Sequence, residues 1–141
     1  MAEAVFAHDV RQAGLEDKIQ ADSAGTGHWH VGESPHSGTL AVLRQRGISY
    51  RHQARVLVAQ DLIRFDYILT MDDSNLAAVR TMLDGYAGPA AVVRPFLDFL
   101  PGGEFREVPD PYYTGDFESV LALVSAASDG LLTAIRRDHH L

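Results

Sequence analysis

Five consecutive residues, Tyr67-Ile68-Leu69-Thr70-Met71, form an apolar run without polar alternation, and Asp72-Asp73-Ser74 follows directly. A strand with one wet face alternates apolar and polar side chains, whereas a strand buried on both faces does not. The run therefore predicts a parallel strand covered on both sides. The polar residues after it predict a helix start, with Leu76, Val79 and Leu83 on the inner face. The rest of the chain has the same rhythm. Met1 to about Arg11 reads as a helix with Val5 and Phe6 on its apolar side and Gly14 closing it. Ile19–Ser23 reads as a short strand running into the small-residue turn Ala24-Gly25-Thr26-Gly27. A helix begins near Ser37 and stops at Gly47, and Ala91–Arg94 reads as a third strand. A long loop rich in Pro and Gly is expected from Pro95 to Gly115, then a last helix capped by Asp116. Alternating strands and helices specify a three-layer α/β fold, a parallel sheet with helices on both faces. The 141 residues suit one domain with one core. Ligands in such sheets bind beyond the carboxyl ends of the strands. That points to the loops Ser23–Pro35, after Met71, and around Asp110.

Composition narrows the chemistry. The chain has no cysteine, so disulfides, cysteine metal sites, a redox pair and thiol catalysis are all excluded for the sequence as written. The formal net charge is -7 and basic residues do not cluster, which argues against nucleic acid and membrane surfaces as partners. The first residues lack the basic start and long apolar stretch of a signal peptide, and no apolar run approaches the length of a membrane span. A soluble protein of the cytoplasm is the expectation.

Three segments carry candidate chemistry. In Val108-Pro109-Asp110-Pro111-Tyr112-Tyr113-Thr114-Gly115, two prolines stiffen the backbone around one carboxylate, and two tyrosines follow. A rigid carboxylate beside aromatic walls suits general acid catalysis on an aromatic leaving group. The plainer reading is a proline-stiffened turn with both tyrosines half buried against the sheet. In Asp22-Ser23-Ala24-Gly25-Thr26-Gly27-His28-Trp29-His30, small residues let backbone amides approach an anion, and Trp29 could wall a pocket. It is no recognised nucleotide loop, and His28 and His30 alone do not make a metal site; no metal and no cofactor is expected. His52-Gln53-Ala54-Arg55 offers a histidine that could support a loop and an arginine that could pair with a carboxylate, or simply a surface pair. His139 and His140 read as a solvated tail.

Taken together, these segments resemble the low-molecular-weight protein-tyrosine phosphatases of bacteria. Met1-Ala2-Glu3-Ala4 is similar to the start of that family's first helix, and Asp22-Ser23-Ala24-Gly25-Thr26 to its second-strand turn. His52-Gln53-Ala54-Arg55, Met71-Asp72-Asp73-Ser74-Asn75-Leu76 and Asp110-Pro111-Tyr112-Tyr113 match further segments in the family's order, over essentially the whole chain. The resemblance implies a flavodoxin-like sheet and hydrolysis of phosphotyrosine in two steps. A thiolate attacks phosphorus while an aspartic acid protonates the departing phenol, and water then hydrolyses the phosphocysteine. By this resemblance Asp110 is the acid; Trp29, Tyr112 and Tyr113 grip the ring; Ser23, His52 and Asp72 brace the phosphate loop. The implied partner is a phosphotyrosine-containing protein or a small aryl phosphate.

The departure from the family is at the nucleophile. There, a first strand and a loop of Cys, five residues and Arg precede the Met-Ala-Glu-Ala helix, so the expectation is a domain without its first strand and anion loop. Arg11, Arg55 and Arg94 do not occupy the position of the loop arginine. In the family that strand lies between those corresponding to Ile19–Ser23 and Tyr67–Met71. Its loss would leave the two roughly 9–10 Å apart, and the chain would be poorly stable or recruit a strand from another chain. Three readings follow in order of preference: a phosphatase whose start has been set too late at an internal Met, a non-catalytic remnant or binding module, and an arsenate reductase-like protein. The last would need downstream cysteines that this sequence does not contain.

Overall fold

In a computed structural model, which describes residues 1–27, 32–103 and 107–141 with the side chain of Tyr112 excepted, the run at Tyr67 becomes β1, Tyr67–Thr70. It pairs in parallel with β2, Val92–Pro95, in the register Tyr67↔Val92 through Thr70↔Pro95. Helix α4, Asp73–Met82, crosses between them and buries Leu76 and Val79, as the period of its apolar residues requires. Asp72 caps it: the Oδ1 atom accepts from the Asn75 amide at 2.7 Å, and Asn75 Oδ1 accepts from the Met71 amide at 3.3 Å.

The remaining helices cover the sheet. Helix α1, Ala2–Gln12, turns Ala4, Val5, Phe6 and Val10 inward. Helix α2 is Ser37–Gln45, α3 the single turn Asp61–Arg64, and α5 the single turn Pro111–Thr114. Helix α6, Phe117–His139, is capped by Asp116, whose Oδ1 accepts from the Ser119 amide at 3.1 Å. It is long and apolar enough to meet the length of a membrane span, yet Val120, Leu121, Val124, Leu131 and Ile135 face the core. There α6 packs on α1. Fully buried Ser128 donates to Asp9 Oδ2 at 2.6 Å across that contact. The main apolar cluster unites α1, α2, α6 and the turn Phe96–Phe99, whereas buried Leu62, Leu76 and Val79 lie outside it. Helices thus form layers on both faces, the α/β arrangement that the strand–helix alternation predicts.

Three readings of the sequence need correction. Ile19–Ser23 is not a laddered strand: among the described residues it forms no bridge, and Gly25 just beyond it bridges Val56, although exposure alternates along the segment, with Gln20, Asp22 and Ala24 exposed and Ile19, Ala21 and Ser23 half-buried. The stretch Pro95–Gly115 is not one loop, because it holds the 3-10 turn Phe96–Phe99 and α5. His139 is no free tail residue; its Nε2 lies 2.8 Å from the Tyr67 hydroxyl at the end of α6.

A candidate phosphoryl-transfer site

All three loops picked out at the strand ends open onto one cavity of about 920 Å³. Ser23 and Gly25 line it from the first, Asp72 from the second, and Asp110 from the third. Between Ile19–Ser23 and β1 the cavity also reaches inward to apolar side chains of α1, α4 and α6, including Phe6, Val79 and Leu131.

Asp110 is exposed and sits before α5, where its carbonyl accepts from the Tyr113 amide at 3.1 Å and the Thr114 amide at 3.3 Å. Pro111 opens that turn, the helix position at which a missing N–H costs nothing. The flanking prolines therefore fix the backbone that carries the carboxylate. Tyr113 is 81% exposed, which overturns the half-buried reading of this residue and leaves its ring at the surface beside Asp110. Trp29 lies outside the described residues, as do His28, His30 and the side chain of Tyr112.

Ser23 and His52 meet, 3.4 Å apart between Oγ and Nε2. They do so around Glu3, which the sequence reading missed. Its Oε2 accepts from Ser23 Oγ at 2.8 Å and from the Tyr50 hydroxyl, and lies 3.4 Å from His52 Nδ1. The Tyr50 and His52 rings stack with centroids 6.1 Å apart. Burial first, and then the hydrogen bond to Glu3, pushes the Tyr50 phenol above its ordinary range, so it is a neutral donor. The four side chains come from α1, the segment before Gly25, and the strip after α2. Only the fold joins them.

Glu3, Asp22 and His52 place one ligand-type atom each within 4.8 Å of one another. Glu3 Oε2 is already engaged by two hydroxyls, a use that accounts for its placement without an ion. Asp72 stands at the cavity wall, but its carboxylate is committed to capping α4. Arg55 does pair with a carboxylate. Its guanidinium reaches Asp61 at 2.9 and 3.3 Å and Asp22 at 3.1 Å. Burial alone would raise the Asp61 carboxyl, but the bonds from Arg55 and the Val58 amide outweigh it and hold the group below its usual range. Arg55 is correspondingly held more firmly protonated, chiefly by the Asp61 bond.

The arrangement is that of an exposed carboxylate, Asp110, and a braced polar wall, Ser23–Glu3–His52–Tyr50, around one cavity. The family model for the low molecular weight phosphotyrosine protein phosphatases matches residues 1–141. The low molecular weight protein-tyrosine-phosphatase YfkJ of Bacillus subtilis is 44% identical over 142 aligned positions, which cover 100% of this chain and 90% of that protein. The crystal structure of YfkJ superposes with a TM-score of 0.90 at 43% identity, over 97% of this chain and 86% of that one. A low molecular weight phosphotyrosine protein phosphatase of Schizosaccharomyces pombe is 45% identical over 82% of this chain and 73% of its own length. Matched by that family model over residues 1–141, and 44% identical to YfkJ along its whole length, the chain belongs to the low molecular weight phosphotyrosine protein phosphatase family.

Proposed function

We propose that the site serves hydrolysis of aryl phosphate monoesters, with protein phosphotyrosine as the substrate class. The observation that carries the reading is that Asp110, on a proline-fixed turn with exposed Tyr113 close by, opens onto the same cavity as Ser23 and Asp72. In the first step a thiolate bonds to phosphorus, the P–O bond to the phenol breaks, and Asp110 gives its proton to the departing oxygen. In the second, the Asp110 carboxylate takes a proton from the water that attacks the phosphocysteine, and inorganic phosphate leaves. Tyr113, with Tyr112 and Trp29, flanks the ring; Ser23, His52 and Asp72 hold the surrounding loops. The proposed setting is the cytoplasm.

The 141 residues contain no cysteine, and Arg55, the guanidinium at the cavity wall, is held by two carboxylates. On this reading the chain does not complete the covalent step by itself. The same two facts support the second reading, a non-catalytic binding module; an arsenate reductase-like role, which also needs thiols, ranks third. The test uses p-nitrophenyl phosphate with two proteins: the 141-residue chain, and the chain preceded by a strand and a Cys-x5-Arg loop of the family. The first is expected to show no turnover and the second to be active. In the active protein Asp110→Asn should lower kcat by about 10²–10⁴-fold. Turnover by the 141 residues alone, or an Asp110→Asn variant with unchanged kcat, refutes the corresponding assignment.

A further inference from the structure

The brace that lines the first cavity with Glu3 and Ser23 lines a second one, of about 710 Å³, with Tyr50 and His52. The fold fixes the frame of this second cavity. After α2, Gly47 takes the left-handed conformation with φ 74°, and the Ile48 amide returns to the Leu43 carbonyl at 2.9 Å. The chain therefore doubles back beside the last turn of α2, with Ile48 buried. Further on, the Ala54 amide bonds the Glu33 carbonyl at 2.9 Å, which ties the strip to the segment before α2. Between these anchors the backbone groups of Ser49–Gln53 bond to no other backbone group among the described residues.

Arg44, in the last turn of α2, and Arg51, in the strip, both line this cavity. Among the described residues Arg46, Arg55, Arg94 and Arg137 each pair with a carboxylate, whereas Arg44 and Arg51 pair with none. None of the described lining residues is acidic, in a chain with 19 Asp and Glu and a formal net charge of -7. Arg44 also offsets the carbonyl end of α2, but Arg51 has no such use. Two like charges that line one cavity repel, and the counterion that relieves them is an anion. Guanidinium forks suit phosphoryl oxygens, and two of them match the double charge of a phosphate monoester. Ser34 and Ser49 belong to the same lining and can donate to the remaining oxygens. The volume far exceeds a phosphate group, and Pro35, Leu40 and Ile48 supply an apolar lining for an organic body. We propose that the cavity between α2 and the strip Ile48–Gln53 binds the dianion of a small phosphate monoester, held by Arg44 and Arg51. The inference stands on these two arginines and not on the catalytic reading of the first cavity.

The test titrates phenyl phosphate into the 141-residue chain and follows the amide and arginine Nε–H signals by NMR. Expected are saturable shifts at Arg44, Ser49, Arg51 and Gln53, with half-saturation below about 1 mM. Arg44→Gln and Arg51→Gln should each weaken binding by about tenfold or more, since each removes a charged donor. Arg80→Gln, on α4 and outside both linings, should leave it unchanged. Phenol should not bind, and inorganic phosphate should bind at least about tenfold more weakly than the ester. A Gly-Gly-phosphotyrosine-Gly-Gly peptide is compared with phenyl phosphate, and the tighter ligand tells whether the natural ester is borne on a polypeptide or free. If the chain alone gives the spectrum of an unfolded protein, the Cys-x5-Arg protein of the catalytic test, in its Cys→Ser form, takes the same titration. The first cavity then reports separately at Ser23 and Asp110. The proposal is overturned if the shifts fall only around Ser23, Asp72 and Asp110, if neither arginine variant weakens binding, or if Arg80→Gln weakens it as much. Equal binding of inorganic phosphate and phenyl phosphate overturns the assignment to a monoester.

Discussion

Gly130 lies in the middle of α6, where a glycine is normally a weakness, and its replacement by alanine should nevertheless destabilise the protein. Two effects of opposite sign compete. Alanine in a helix interior gains about 1 kcal/mol over glycine by restricting the unfolded chain. Against this, a Cβ at Gly130 would stand 1.9 Å from the Phe99 carbonyl oxygen, where ordinary contacts start near 3.4 Å. The obstacle is backbone, so no side-chain rotation relieves it. Either α6 or the turn Phe96–Phe99 must move, and that turn anchors Phe96 and Leu97, which are only 2% and 1% exposed. Overpacking of this severity costs about 3 kcal/mol, so the net loss is about 2 kcal/mol. For a domain of this length that is a fall of about 7 °C in the thermal midpoint. Urea unfolding followed by far-UV circular dichroism, with the midpoint checked by calorimetry, measures both quantities. A Gly130→Ala variant at least as stable as the parent would show that α6 and the turn are loosely packed, and the argument would fail.

Thr70→Val should stabilise the fold by about 1 kcal/mol, because Thr70 Oγ1 is buried without a hydrogen-bond partner among the described residues and a methyl of the same shape carries no such cost; an unchanged or lower urea midpoint would show that the hydroxyl is satisfied. Arg55→Ala should cost about 2 kcal/mol at neutral pH, since it strands the buried Asp61 carboxylate while the half-open Arg55 end of the pair is screened by water. Because Asp61 has a lowered pKa in the fold, this contribution is present above the unfolded value near 4 and is lost as pH falls through the folded one. The difference between parent and variant should therefore shrink in acid, and a gap that stays constant down to pH 3 would disprove the pairing.

Local signals were legible in the sequence and distant ones were not. Asp72 and Asp116 could be read as helix caps because a cap and its target amide lie three residues apart. The apolar run at Tyr67 announced β1, and the order of strands and helices announced the layers. By contrast Glu3, Ser23, Tyr50 and His52 are brought together across up to 49 positions, so no spacing rule connects them, and Glu3 and Tyr50 passed unnoticed. The single turns α3 and α5 are too short for any periodicity to show. Ile19–Ser23 has the alternation of a strand, but a strand is defined by its partners, and among the described residues the nearest bridge is at Gly25, beyond the segment. The tyrosines after Asp110 looked like wall-packed aromatics by composition; Tyr113 is at the surface because α5 turns it outward.

The pairing of α1 with α6 also bears on how the protein is made. β1, α4 and β2 lie within residues 67–95 and can assemble from neighbouring sequence. The apolar face of α1, by contrast, waits for the far end of the chain: Asp9 meets Ser128 across 119 positions. At ordinary rates of translation that interval is on the order of ten seconds. Throughout it Ala4, Val5, Phe6 and Val10 are without the helix that will bury them. A nascent chain of this design depends on holding the apolar face of α1 in check, or on a chaperone that does so, until α6 emerges.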